Sequence, residues 1–303
     1  MLLKLENSPV QTVSFQSQSF LVKRDDLLHA DFSGNKARKL HYFLVNEFPG
    51  IDTLISHGSI QSNAMYSLSV LCRLKNWTFI YYVDHIPSLL KETPVGNYRY
   101  ALNNGMELRV FTNNQGIADI DYDNNTCLLI HEGGANQEAQ YGLKILASET
   151  RQYKKDHNIN KLKLFLPSGT GTTALYLQKY LDDEVITCPC VGDATYLKKQ
   201  FLMLEKDDSI HPTIVPGNRK YHFGKLYADH FSLWKALKDE TDIEFDLLYD
   251  PIGMEIFLAL EKDRNFTYMY IHQGGIKGNE TMISRYRFKG ISKNLTKMSE
   301  PAR

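Results

Sequence analysis

Phe32-Ser33-Gly34-Asn35-Lys36-Ala37-Arg38-Lys39-Leu40, a few residues after Val22-Lys23-Arg24-Asp25-Asp26-Leu27, is the stretch from which the rest of the chain is read. Lys36 follows a Gly-Asn step at the entry to a helix, where Leu40, Phe43, Leu44 and Phe48 recur at helical spacing up to a Pro49-Gly50 stop. A lysine placed there is fixed rather than waving in solvent. When partly desolvated among cationic neighbours its amine has a lowered pKa, and the neutral form condenses with aldehydes. The same letters also suit a solvated surface lysine, because single motif matches arise readily by chance.

Outward from that stretch, the composition narrows the class. The 303 residues carry 35 Lys and Arg against 35 Asp and Glu, and 43% are apolar, which speaks against a disordered or nucleic-acid-coating chain. A chain of this length can bury one large or two medium cores. No apolar run approaches membrane-spanning length, and Met1-Leu2-Leu3-Lys4-Leu5 lacks the parts of a signal peptide. The four cysteines are scattered; only Cys188-Pro189-Cys190 is a close pair, with no second pair or histidine spacing to complete a metal site. A cytoplasmic protein with no metal, no membrane and no nucleic-acid partner is expected.

Periodicity then predicts alternating strands and helices. Strands are expected over Val10–Phe15, Ser19–Val22, Asp52–Ser56, Trp77–Val83, Met106–Phe111, Cys127–His131 and Lys161–Leu166. Helices are expected over Ala64–Lys75, Tyr98–Asn103, Glu138–Tyr153 and from about Ala174. This alternation predicts parallel α/β sheets. Ser168-Gly169-Thr170-Gly171-Thr172-Thr173 falls between a strand and a helix, and serves equally as a plain turn or as a phosphate cradle of inward N–H groups at a helix N-terminus. It lacks the lysine of a P-loop and the third glycine of a dinucleotide fingerprint. His57-Gly58-Ser59-Ile60-Gln61-Ser62-Asn63 is a second strand-to-helix turn, suited to helix capping, to holding a carboxylate, or to both. Leu247-Leu248-Tyr249-Asp250-Pro251 is either an Asp-Pro turn with a packed tyrosine or part of a site.

Taken together in order, these strings resemble the family of 1-aminocyclopropane-1-carboxylate deaminases and D-cysteine desulfhydrases, pyridoxal-phosphate enzymes of the tryptophan-synthase-β-like fold type II. The blocks run from about Val22 to Gly275 and include His131-Glu132-Gly133-Gly134-Ala135-Asn136, Tyr221-His222-Phe223-Gly224 and Ile271-His272-Gln273-Gly274-Gly275. The resemblance implies an α/β fold of two open, largely parallel sheets flanked by helices. It implies a large domain of residues 1–40 plus 137–303 and a small inserted domain of residues 41–136. It further implies pyridoxal 5'-phosphate as cofactor, Lys36 as the lysine that carries it, and Lys39 and the loop Gly169, Thr170, Gly171, Thr172 and Thr173 as its phosphate contacts. Asn63 would meet the ring hydroxyl. Setting Tyr249 on the family's tyrosine leaves Asp250 at the pyridine nitrogen, and Ser62 and Tyr249 beside Lys36 as catalytic groups. The substrate is expected to be a small amino acid, with β-elimination from D-cysteine to pyruvate, ammonia and sulfide. Opening of 1-aminocyclopropane-1-carboxylate, or cofactor binding without turnover, are the alternatives. The family also suggests a homodimer. Ser59, Ala64, Gln273 and Thr172 depart from its pattern, the first three on the expected substrate side.

Overall fold

The computed structural model describes Leu5 and residues 8–112 and 115–291. In chain order its elements are β1 (Val10–Phe15), β2 (Gln18–Arg24), α1 (Gly34–Val45), β3 (Thr53–His57), α2 (Asn63–Lys75), β4 (Thr78–Val83), α3 (Ser88–Glu92), α4 (Gly96–Asn103), β5 (Met106–Val110) and β6 (Cys127–Ile130). They continue through α5 (Ala139–Asp156), β7 (Leu162–Ser168), α6 (Thr172–Lys179), β8 (Glu184–Pro189), α7 (Ala194–Leu204), β9 (Thr213–Ile214), α8 (Ala228–Thr241), α9 (Asp250–Ala259), β10 (Thr267–His272) and α10 (Asn279–Phe288).

Two sheets result, as the alternation predicts. The larger has the order β1-β2-β10-β7-β8-β9, and the smaller β5-β4-β3-β6. Every pairing is parallel except the hairpin β1–β2. Parallel strands in the interior of a sheet are covered on both faces, so β7, β8 and β10 are buried along nearly all their length, while the edge strand β5 keeps polar residues in alternation. In β7, Leu164 and Leu166 pack with α5 and α6 on one face while Phe165 joins Phe257 and Tyr270 on the other. In β10, Met269 and Ile271 face the first layer and Tyr268 and Tyr270 the second. The smaller sheet buries Leu54, Phe79, Tyr81 and Ile130 against Met65, Leu68 and Leu71 of α2 and Phe43 of α1.

The Gly-Thr-Gly-Thr turn begins its helix at Thr172, two residues ahead of the expected Ala174, because Gly171 at φ +74° already makes the turn. Leu247–Met254 differs more: Asp250 opens helix α9 with Pro251 in its first turn, where the missing N–H of proline costs no hydrogen bond. Among the described residues no helix is long and apolar enough to cross a membrane. All four cysteines are unpaired, with Cys72, Cys188 and Cys190 buried.

The turns after β3, β7 and β10 leave the C-terminal ends of their strands, the edge where open α/β sheets bind ligands. They converge on α1.

Candidate active site

Lys36 owes its place to the residue two before it. Gly34 has φ +64°, and a Cβ there would lie 1.9 Å from the Gln273 carbonyl oxygen, so only glycine fits. The Asn35 N–H donates to that carbonyl at 3.0 Å and Asn35 Nδ2 donates to Gln273 Oε1 at 2.9 Å. Gln273 Nε2 in turn donates to the Pro167 carbonyl at 2.6 Å. The Gln273 amide therefore ties the start of α1 to the ends of β7 and β10.

Lys36 Nζ lies 3.2 Å from Asn35 Oδ1. Burial lowers its pKa to about 8, against the opposing pull of the Asp246 carboxylate. Asp246 is the residue that sequence reasoning passed over. Burial raises its pKa to about 6, while the N–H groups of Tyr249 and Leu248, Asn63 and Lys36 act the other way. Its Oδ1 accepts from Leu248 N at 2.8 Å and Tyr249 N at 2.6 Å, and its Oδ2 is 3.5 Å from Asn63 Nδ2. Asn63 Oδ1 accepts from Asn97 Nδ2 at 2.7 Å, so the amide orientation is set from both sides.

Lys39, one turn after Lys36, is buried and donates to the Gly133 carbonyl. Among the described residues no carboxylate pairs with it, and burial together with the Lys36 charge drives its pKa well below the lysine range. A buried ammonium without a counter-ion is costly, and the chemistry that relieves it is an anion. Beside it lies the turn before α6: a Cβ on Gly133 would meet Thr170 Cγ2 at 3.1 Å, and Thr170 Oγ1 is 3.2 Å from Thr172 Oγ1. Thr172 and Thr173 are buried and helical, so neither needs the positive φ that would favour glycine. Helix N-terminal N–H groups and a buried lysine amine near them are the chemistry that an anion would suit.

Tyr249 lies against the same turn, with Cε1 3.3 Å from where a Cβ of Gly169 would be, and its ring packs on Phe223 at 5.3 Å. Burial first, then the Asp246 charge, raises its phenol pKa, so the hydroxyl stays protonated. Ser62 caps α2, its Oγ accepting from Ala64 N at 3.1 Å. Asp250 sits behind Tyr249: Oδ1 accepts from Tyr270 Oη at 2.7 Å and Oδ2 from Asp246 N at 3.0 Å. Burial and the Asp246 charge raise its pKa well above the carboxylate range. The structure thus gathers Lys36, Lys39, Asn63, Tyr249 and the turn 169–173, with Ser62 at the edge and Asp250 one layer back. His272 is structural: its ring stacks on Phe245 at 4.6 Å, Nδ1 accepts from Gly274 N at 3.1 Å, and Nε2 lies 2.9 Å from the Glu244 carbonyl. Elsewhere Asp229, His230 and Glu255 converge like metal ligands, but Arg219 already bridges Asp229 at 2.5 Å and Glu255 at 3.1 Å.

No protein-family model and no curated protein matches the chain. Solved structures do match. One described as an ACC deaminase homologue superposes with a TM-score of 0.77 at 19% identity, covering 96% of this chain and 95% of that one. A hydrogen sulfide-producing enzyme from Fusobacterium nucleatum superposes at 0.63 with 13% identity, covering 90% and 97%. O-acetylserine sulfhydrylase isoform 3 from Entamoeba histolytica does so at 0.62 with 13% identity, covering 95% and 90%. At these identities the likeness is one of fold: the two-sheet α/β architecture of fold type II.

Proposed function

We propose that this chain is a pyridoxal 5'-phosphate-dependent lyase or deaminase of a small amino acid, with D-cysteine desulfhydrase chemistry as the specific reading. The observation that carries it is the pair of desolvated amines on α1: Lys36 at about 8 beside Asp246, fit for an aldehyde, and Lys39 without an acid partner at the Gly-Thr-Gly-Thr turn, fit for a phosphate. The fold shared with a hydrogen sulfide-producing enzyme supports the sulfide-releasing outcome, and the fold shared with an ACC deaminase homologue supports ring opening as a second reading.

Lys36 would attach the cofactor, Lys39 and the N–H groups of the turn 169–173 its phosphate, and Asn63 its ring, whereas Asp250, engaged by Tyr270 Oη and Asp246 N, would support Tyr249 from behind. Bound there, the cofactor supplies a sink for the negative charge that develops at the substrate Cα. The chain's residues do the rest. The neutral Lys36 amine takes the Cα proton. Ser62, whose Oγ accepts from Ala64 N, would turn its hydroxyl from Tyr81 to the substrate carboxylate. Tyr249, held as a phenol, gives its proton to the departing sulfur.

The test is to titrate the purified protein with pyridoxal 5'-phosphate, follow the visible band, reduce with borohydride and map the label. The pyridoxyl group should sit on Lys36, and D-cysteine should then release pyruvate and sulfide in equal amounts. Release of 2-oxobutanoate from 1-aminocyclopropane-1-carboxylate would select the second reading, and a Lys36 band that no amino acid moves would leave a binding protein without turnover. Label on another lysine sinks the proposal. Lys39→Met should weaken the cofactor about 10- to 100-fold, the worth of a charge-assisted hydrogen bond or two. Inorganic phosphate should raise the melting temperature of the wild type but not of that variant.

A further inference from the structure

Residues 216–227 run from β9 to α8 as a strap with no helix or strand of its own, and none of them is buried. The middle of the strap touches the site. The Phe223 ring packs on the Tyr249 ring at 5.3 Å while Phe223 keeps 45% of its surface exposed, so it forms an outer wall over the phenol. On either side of Phe223 the strap is tied down. After it, Arg285 Nη2 of α10 donates to the Gly224 carbonyl at 2.7 Å, and Tyr286 Oη donates to the Tyr227 carbonyl at 3.1 Å. Before it stands Arg219, whose Nη2 lies 2.5 Å from Asp229 Oδ2, 3.1 Å from Glu255 Oε2 and 3.1 Å from His230 Nε2. Its guanidinium also stands over the Tyr221 and Tyr227 rings, at 5.2 and 5.3 Å. The bonds from Tyr221 Oη to Asn218 Oδ1 and from His222 N to Tyr227 Oη stay within the strap.

A single exposed ion pair holds a segment weakly. Here one guanidinium gathers acceptors from α8 and α9, one of them on the buried His230, so its release would free the first half of the strap in one step. Glu255 lies on α9, whose first residue follows Tyr249, so the catch and the covered phenol share one element. We propose that the strap is a lid over the site, with Phe223 as its closing face and Arg219 as the positioning residue that latches it. Open, it admits cofactor and substrate; closed, it keeps water from Tyr249 while a proton moves. A segment without buried residues or ladder hydrogen bonds is the kind that opens at low cost. The inference rests on the proposed function only in what the lid covers.

The experiment compares the cofactor-loaded wild type with Arg219→Ala and Phe223→Ala. It reads hydrogen exchange of the amides in 216–227 and the rate at which hydroxylamine strips the visible band. Arg219→Ala should speed both at least tenfold, with cofactor affinity and the exchange of α9 unchanged. Phe223→Ala should speed the stripping by a similar factor while strap exchange stays at the wild-type rate, because its latch is intact. Arg219→Lys keeps the charge without the fork that reaches several acceptors, so it should fall between wild type and Arg219→Ala in both readings. Stripping at the wild-type rate in both alanine variants would overturn the lid, and strap exchange at the wild-type rate in Arg219→Ala would overturn the latch. A wild type that forms no visible band defeats the proposed function instead, and strap exchange in the cofactor-free proteins then decides the latch by itself.

Discussion

Lys36→Met is expected to abolish the visible cofactor band and all turnover, while leaving a folded protein that melts at a higher temperature than the cofactor-free wild type at pH 7. The two effects share one cause. Burial holds the Lys36 pKa at about 8, below the ordinary 10.5, with Asp246 pulling the other way. In the unfolded chain the amine has its ordinary pKa, so between these values the unfolded state binds the extra proton and stability rises with pH. Below pH 8 the folded protein carries a desolvated charge and the associated loss is complete. Methionine fills similar space without a charge to desolvate, so the gain in melting temperature should be largest near neutral pH and fade above about pH 10. The same depressed pKa makes the wild type competent. Cofactor uptake needs the neutral amine, so its rate should climb with pH and level off above about 8. A rate independent of pH across that range, or a variant that still forms the band, would remove Lys36 from its assigned role. On the proposed reading, function is maintained against stability, as is usual for a desolvated catalytic group.

Residues that act locally were legible before the fold was known. The Gly34-Asn35-Lys36 step, the turn 169–173 and the Ser62 cap each depend on a few consecutive residues, and each lies at the start of a helix. Asp246 was hidden because its importance is not local. It reaches Lys36 and Asn63 only because the turn before α9 folds its carboxylate back over its own Leu248 and Tyr249 N–H groups. The letters Tyr249-Asp250 drew the search to the neighbouring acid, whose carboxylate is engaged by Tyr270, 20 residues away. Gln273 shows the same limit in reverse: its substitution looked like a change in the substrate pocket, and its bonds to Asn35 and Pro167 make it part of the scaffold. A sequence displays turns and periods; it does not display which loop ends meet. Asp250-Pro251 did carry a readable helix start, since an acid followed by proline suits a first helical turn.

Arg38→Ala is expected to cost about 3–5 kcal/mol of unfolding free energy, the usual loss when one member of a buried ion pair is removed. Arg38 stands between the two lysines of α1 but points away from them, and its side chain is 0% exposed. Its guanidinium is bound on both sides: Nε and Nη2 donate to Asp25 at 3.0 and 2.8 Å, and Nη1 and Nη2 donate to Glu149 at 2.7 and 2.9 Å. Lys23 joins the network through Glu149 at 2.6 Å, and Ser8 donates to Asp25 at 2.6 Å. One residue thus fastens α1 to the segment after β2 and to α5, whose Gly142 lets the two helices meet so closely that a Cβ would lie 2.0 Å from the Arg38 carbonyl. Alanine would leave Asp25 buried with only the more distant Lys23 to answer its charge. The pH dependence identifies that cause. In the wild type, burial pushes the Asp25 pKa up, but Arg38, with help from Lys23 and Ser8, more than offsets this and holds it below the ordinary 3.8. A depressed carboxylate pKa gives stability that is present above the unfolded value and lost as pH falls through the folded one. In Arg38→Ala the sign reverses: Asp25 is raised, and protonating it relieves the variant. The gap in unfolding free energy between the two proteins should therefore narrow as denaturant titrations move from pH 7 to pH 4. A constant gap would mean that the loss is one of packing alone, and that the charges of this network do not hold α1 in place.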